Sequence, residues 1–217
     1  MHEVTLKPAK RFSVGKIVCV GKNYDEHIKE MHSDRPESPV LFLKPSTAII
    51  EEGTSINLPV YSNDVHHEIE LALLVTKRSH GISVSDWKNY IGGAGIALDL
   101  TLRDHQRIAK EKGLPWSVSK GFDGSCPVSQ FTPIDEISDL QSLDIELKVN
   151  GDLRQKGSTA EMIYKIDELV SHISGIFTLE PGDLILTGTP AGVSKLNHGD
   201  QLEARIENIG TAVFDVN

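Results

Sequence analysis

The chain has 217 residues, 39% hydrophobic and 24% charged, a balance typical of a globular protein that can bury a core without disulfide or metal staples. Lys and Arg number 22 against 31 Asp and Glu, a net charge of −9, so the basic footprint needed to grip a nucleic-acid backbone is missing. No stretch approaches the roughly 18 to 20 consecutive apolar residues of a membrane span, which leaves neither nucleic acid nor membrane as an expected partner.

The opening segment MHEVTLKPAKRF carries charges but no apolar run of the signal-peptide kind, and a cytoplasmic protein is expected. Short β-type runs follow: KIVCV (16–20), VLFLK (40–44), EIELALLV (68–75), AGIALDLT (94–101), DIELKVN (144–150), DLILTG (183–188), then QLEARIEN and TAVFDV. Between them, helices are predicted over about 24–31, 102–112 and 160–177. The second stops at Gly113, and the third opens on the capping-box pattern Ser158-x-x-Glu161 with Ile163, Ile166, Val170 and Ile173 on one face. Asn150-Gly151 suits the positive φ angles of a tight hairpin, so the late strands should run antiparallel. Strands and helices do not alternate regularly, which argues for an α+β fold of mostly β structure in a single domain spanning 1–217.

Several enzyme classes lose their signatures. There is no GxxxxGK[ST], HExxH or GxSxG, and GGAGIAL breaks GxGxxG at its last position. Cys19 and Cys126 lack zinc-site spacing and read as buried thiols. What remains is a set of acids in unusual places. Glu68 and Glu70 lie two apart on a predicted strand, so both leave one face with Cα atoms about 7 Å apart, near enough to share a cation. The plain alternative is the solvated face of an amphipathic strand whose Ile69, Leu71 and Leu73 turn inward. Asp99, inside Ile96-Ala97-Leu98-Asp99-Leu100, is costly to bury without a partner, which is either a metal shared with the two glutamates or an ion pair with Arg103. Three carboxylates make an all-oxygen set suited to Mg²⁺ or Mn²⁺ first and Ca²⁺ next, with His66 and His67 as possible additions. His27 and Glu30, three apart on the first helix, can pair so that the carboxylate raises the imidazole's basicity, although such pairs are common on surfaces. Lys120, in the Gly-flanked loop SKGFDG, and the small-residue segment Gly188-Thr189-Pro190-Ala191-Gly192 can each stabilise an anion, or be an ordinary loop and turn.

In this order, GKNYDEHIKEM, LFLKPST, HHEIELALLV, ALDLTLRD, GLPWSVSKGFDGSCPVS and LTGTPAGV resemble the fumarylacetoacetate hydrolase family from residue 16 to about 210, and the short length resembles its acylpyruvase/oxaloacetate decarboxylase branch. The resemblance implies a β-roll of mixed sheets with flanking helices, a homodimer, and a divalent metal (Mg²⁺ or Mn²⁺) held by Glu68, Glu70 and Asp99. It further implies that His27 and Glu30 form a dyad on a lid-like segment (about 22–38, after a lead-in over 1–15). Lys120 would stand beside the metal, and Lys44, Arg103, Gln106 and Thr189 near a small oxo-acid substrate. The implied chemistry is C–C cleavage of a 2,4-dioxo acid, or decarboxylation of oxaloacetate, through a metal-bound pyruvate enolate. Keto–enol tautomerisation or double-bond isomerisation can use the same constellation, and a catalytically silent metal-binding scaffold is the alternative from another class.

Overall fold

The computed structural model describes residues 2–217. Its centre is a mixed eight-stranded sheet. In spatial order it runs Val40–Pro45, Lys16–Gly21, Leu184–Leu186, Ile69–Val75, Ile91–Leu98, Cys126–Val128 and Ile49–Glu51, with Thr132–Pro133 also pairing to Ile91–Leu98. Leu184–Leu186 is parallel to Lys16–Gly21, and Cys126–Val128 is parallel to Ile49–Glu51; the other neighbours are antiparallel. A four-stranded antiparallel sheet stands against it in the order Asp152–Ser158, Asp144–Val149, Gln201–Ile206 and Gly210–Asp215, its first hairpin turning on Asn150 and Gly151 at φ 54° and 84°.

The large sheet is buried on both faces, and the period of two assigns its residues. Val18, Val20, Leu71, Leu73 and Ile96 pack toward the second sheet's Ile145, Leu147, Leu202 and Ala204 in the main core. Ile17, Cys19, Ala72, Leu74, Leu184 and Leu186 turn to a second core with Val4 and Phe131. Both cysteines are buried and unbonded, and burial pushes the Cys126 thiol up to about 12. The run GGAG belongs to strand Ile91–Leu98 and makes room for neighbours: a Cβ on Gly93 would come 2.5 Å from Leu6, and one on Gly95 about 3.1 Å from the Phe131 ring. Phe131 thus joins the sheet to the N-terminal hairpin Glu3–Leu6/Lys10–Ser13. Phe131→Ala is expected to cost about 3–5 kcal/mol, read as a lower urea midpoint with an unchanged slope.

Two helical expectations are corrected. The third helix spans Ile166–Ile176, not 160–177: the Ser158/Glu161 capping box is present but closes a single 3₁₀ turn, Thr159–Glu161, and Ile163 lies outside the helix. The buried face is Ile166, Leu169, Val170 and Ile173. Lys120, expected in a loop, ends the short helix Ser117–Lys120 and is buried. The helix Arg103–Lys112 runs as expected to Gly113, which takes the left-handed conformation.

Candidate active site

Strand pairing assembles the acids. Ile69 faces Leu98 and Glu70 faces Ala97 in an antiparallel register, and the Asp99 N–H donates to the Glu68 carbonyl at 2.8 Å, carrying the ladder one step further. Asp99 therefore lies across from Glu68 on the face that also carries Glu70, and cross-strand neighbours of this kind have Cβ atoms about 4.5–5.5 Å apart. One carboxylate oxygen from each of the three lies within 4.8 Å of the others, and all three residues are buried. The solvated-face reading of Glu68 and Glu70 is overturned, because the whole strand Ile69–Val75 is buried on both sides.

Cations compensate this cluster unevenly. Lys120 Nζ donates to Glu68 Oε2 at 2.9 Å and to Asp99 Oδ2 at 2.5 Å, and Arg103 pairs with Glu68 Oε1, which also accepts from the Thr101 hydroxyl. Burial pushes the Glu68 carboxyl up, but Lys120 and Arg103 outweigh it and hold the group well below the usual carboxylate range. Burial likewise works against the Lys120 ammonium, and Asp99 and Glu68 reverse it, leaving the pKa raised. Among the described residues Glu70 has no such partner: it accepts the Gly188 N–H at 2.6 Å, and burial followed by the charges of Asp99 and Glu68 pushes it well above the ordinary value. The ion pair proposed between Asp99 and Arg103 does not form; Arg103 goes to Glu68 and to the Gln106 side-chain carbonyl at 2.9 Å.

Lys44, expected near the substrate, is instead enclosed behind Asp99. It has no exposed surface, donates to the carbonyls of Leu100, Lys120 and Ser125 and to the Ser125 hydroxyl, and lies 2.8 Å from Asp99 Oδ1. That contact is an ion pair off the axis of a hydrogen bond, so among the described residues Asp99 Oδ1 has no hydrogen-bond donor. Lys44 is thus a fixed counter-charge for the cluster rather than part of the cleft wall.

Above the acids, the helix Asp25–Glu30 carries His27 and Glu30. His27 Nδ1 lies 3.1 Å from Glu30 Oε2, and a carboxylate acceptor puts the proton on Nδ1 and leaves the Nε2 lone pair free. Burial keeps the His27 pKa below the ordinary histidine value, so the imidazole is neutral at neutral pH. The other Glu30 oxygen accepts the Gly192 N–H at 3.0 Å, docking the helix on the segment Gly188–Gly192. Gly192 has φ 102°, and a Cβ there would come 2.0 Å from the Arg154 carbonyl, so no other residue fits.

Sequence reasoning missed the residue that holds this segment. Gln155 Oε1 accepts from the Ile69 N–H and His67 Nδ1–H, while its Nε2 donates to the Thr189 hydroxyl and the Pro190 carbonyl. Thr189 donates its own hydroxyl proton to the Ile69 carbonyl. His67 is locked between Gln155 and Ser194, with burial lowering its pKa to about 4, and His66 pairs with Asp64. Neither histidine joins the three acids. The one available signal for Gln155 was a polar residue at an inward position of a strand, which alternation alone does not distinguish from an outward one.

Glu68, Glu70, Lys120, Arg103, Gln106, His27 and Thr189 line one cleft, with Asp99 directly behind Lys120, and Phe42 and Trp116, whose rings are 5.8 Å apart, form its wall. The residues fit a divalent cation on three counts: an all-oxygen donor set, an Asp99 oxygen with no donor, and a Glu70 whose charge is unfavourable until a cation arrives.

Fold and site together define a metal-dependent enzyme. The description "Fumarylacetoacetate (FAA) hydrolase C-terminal" matches residues 16–217, and the chain belongs to the fumarylacetoacetate hydrolase family. It is 49% identical over 212 residues to the oxaloacetate tautomerase FAHD1, mitochondrial, of Mus musculus, covering 97% of this chain and 96% of that one. It is 44% identical over 203 residues to the oxaloacetate decarboxylase, mitochondrial, of Dictyostelium discoideum, covering 93% of each. The crystal structure of fumarylpyruvate hydrolase from Pseudomonas aeruginosa, in complex with Mn²⁺ and pyruvate, superposes with a TM-score of 0.94 at 32% identity over 99% of this chain and 94% of that one. Among the described residues, no helix is long and apolar enough to cross a membrane.

Proposed function

We propose that the protein cleaves a C–C bond of a small 2-oxo acid, hydrolysing a 2,4-dioxo acid to pyruvate and a carboxylic acid or decarboxylating oxaloacetate, with Glu68, Glu70 and Asp99 holding Mg²⁺ or Mn²⁺. The observation that carries this reading is the buried carboxylate triad beneath a histidine–glutamate pair, with Lys120 bridging two of the acids. The names of two relatives, a decarboxylase and a fumarylpyruvate hydrolase, support it. When bound, the cation supplies a Lewis acid that polarises a chelating 2-oxo carboxylate.

The chain's own groups supply the rest. Lys120 stands ready to donate to the oxygen on which negative charge develops as the C3–C4 bond breaks. His27 Nε2 takes a proton from water for attack at C4, and Glu30 holds the Nδ1–H and stabilises the imidazolium that results. Arg103, turned into the cleft with Gln106, orients the substrate carboxylate. The helix Asp25–Glu30 acts as a lid that excludes water once substrate is bound. Decarboxylation needs the electron sink but not the attacking water, so one site serves both outcomes.

The test is loss of the ultraviolet enol absorbance of acetylpyruvate and of oxaloacetate, with pyruvate quantified in parallel, in Mn²⁺ and after EDTA. Pyruvate release in Mn²⁺ that EDTA abolishes is expected; release unaffected by EDTA, or no loss of either compound, contradicts the reading. The 49% identical tautomerase favours one second reading, and enol loss without pyruvate would select it.

A further inference from the structure

The same cleft has an outer part whose charge the chemistry above does not use. At its base the charges balance: the carboxylates of Glu68, Glu70 and Asp99 are set against Lys120 and Arg103 and, enclosed behind Asp99, Lys44, and a divalent cation there would be matched by the substrate's carboxylate and the charge developing on its 2-oxo oxygen. Two further cations, Lys22 and Lys110, line the cleft beyond them. Among the described residues neither forms an ion pair with a carboxylate. Lys110 Nζ rests 5.6 Å from the centroid of the Trp116 ring, and Lys22 Nζ donates to the Asp34 carbonyl at 3.4 Å. Burial, then Arg103 and Lys22, lower the Lys110 pKa, which marks an ammonium set among like charges. In a chain of net charge −9, with 31 acidic side chains available, two lysines that wall a cleft without an acidic partner make a positive rim.

We propose that Lys110 and Lys22 form a subsite for the distal carboxylate of the substrate, making the enzyme selective for 2-oxo dicarboxylates over 2-oxo acids with an uncharged tail. The inference rests on the oxo-acid reading of the inner site and adds a specificity-determining pair to it. Lys110 is solvent-exposed with its Nζ against the Trp116 ring, so an anion entering the cleft can meet it there through a charge-assisted hydrogen bond. The phenyl and indole walls accept the methylene chain between the two carboxylates. An uncharged tail offers no counter-charge and leaves Lys22 and Lys110 repelling each other across the mouth.

The test reads ligand binding rather than turnover. Mn²⁺-loaded protein is titrated calorimetrically with 2-oxoglutarate and 2-oxoadipate, and with their uncharged-tail counterparts 2-oxopentanoate and 2-oxohexanoate, for the wild type, Lys110→Met, Lys110→Arg and Lys22→Met. At least one dicarboxylate is expected to bind the wild type about tenfold tighter than its counterpart, as for a charge-assisted hydrogen bond in a partly screened site. Lys110→Met should erase most of that preference while leaving the affinity for the uncharged-tail acids unchanged, which also shows that the variant is folded. Lys110→Arg should retain it, Lys22→Met should reduce it, and raising the salt concentration should compress it. Equal binding of charged and uncharged tails by the wild type, or a preference that survives both Met variants, overturns the subsite while the inner-site reading stands. Failure of all four acids to bind overturns both.

Discussion

Glu70→Gln is expected to lower turnover of the preferred oxo acid by roughly a thousandfold or more, the several kcal/mol that a Lewis acid contributes to stabilising a transition state, while the metal-free protein melts no lower than the wild type. The two halves of this outcome have one cause. Glu70 is buried beside two other carboxylates, its pKa is pushed well up, and among the described residues no cationic side chain pairs with it. A neutral amide of the same shape still accepts the Gly188 N–H and relieves the repulsion. Function and stability therefore pull apart at this position, the pattern of a site kept for activity at a cost in stability. Asp99→Asn behaves differently: it strips the counter-charge from the buried ammoniums of Lys44 and Lys120 and is expected to cost about 3–5 kcal/mol of stability as well as activity. Differential scanning calorimetry of the metal-free variants beside pyruvate-release kinetics separates the two; a Glu70→Gln protein that melts well below the wild type, or keeps full activity, contradicts the account.

His27→Ala should divide the two reactions. Hydrolysis of acetylpyruvate needs a base for the attacking water and is expected to fall about 10²–10⁴-fold, whereas oxaloacetate decarboxylation, which has no such proton transfer, falls less than about tenfold. The sign of the pH dependence follows from burial. The His27 pKa is lowered, the base form is the neutral one, and so hydrolysis should persist to a pH below that at which an ordinary histidine protonates. Glu30→Gln provides the internal comparison, since it weakens the orientation of His27 and its hold on Gly192 together. Equal losses in both reactions would assign His27 to holding the lid instead.

How much of this was legible depends on whether a residue's meaning is local. The strands declared themselves through apolar runs, and the hairpin through Asn150-Gly151, because alternation and positive φ are properties of a few adjacent residues. Glu68 and Glu70 were legible as a same-face pair by the same logic. Asp99 was ambiguous, since its partner depends on a cross-strand register that spacing does not fix, and Arg103 turned out to serve Glu68. The third helix was placed too early because a true capping box at Ser158 serves a 3₁₀ turn, and the chain extends again before Ile166. Lys44 was misjudged for a related reason. The family resemblance set it near the substrate, but here three carbonyls, a hydroxyl and Asp99 enclose it, and those partners come from segments 55 to 81 residues away. Gln155 gave only an ambiguous signal, a polar residue in a strand, and the two rim lysines gave none, since their roles come from what the fold sets opposite them.

The central claim is that the three acids hold one divalent cation, and its most direct test is the number of Mn²⁺ ions bound per chain, counted by electron paramagnetic resonance after exhaustive chelation and titration. One ion per wild-type chain is predicted, with binding lost in Glu70→Gln at the same concentrations although that variant remains folded. A wild type that binds no Mn²⁺, or a Glu70→Gln variant that binds it as tightly, would contradict the account.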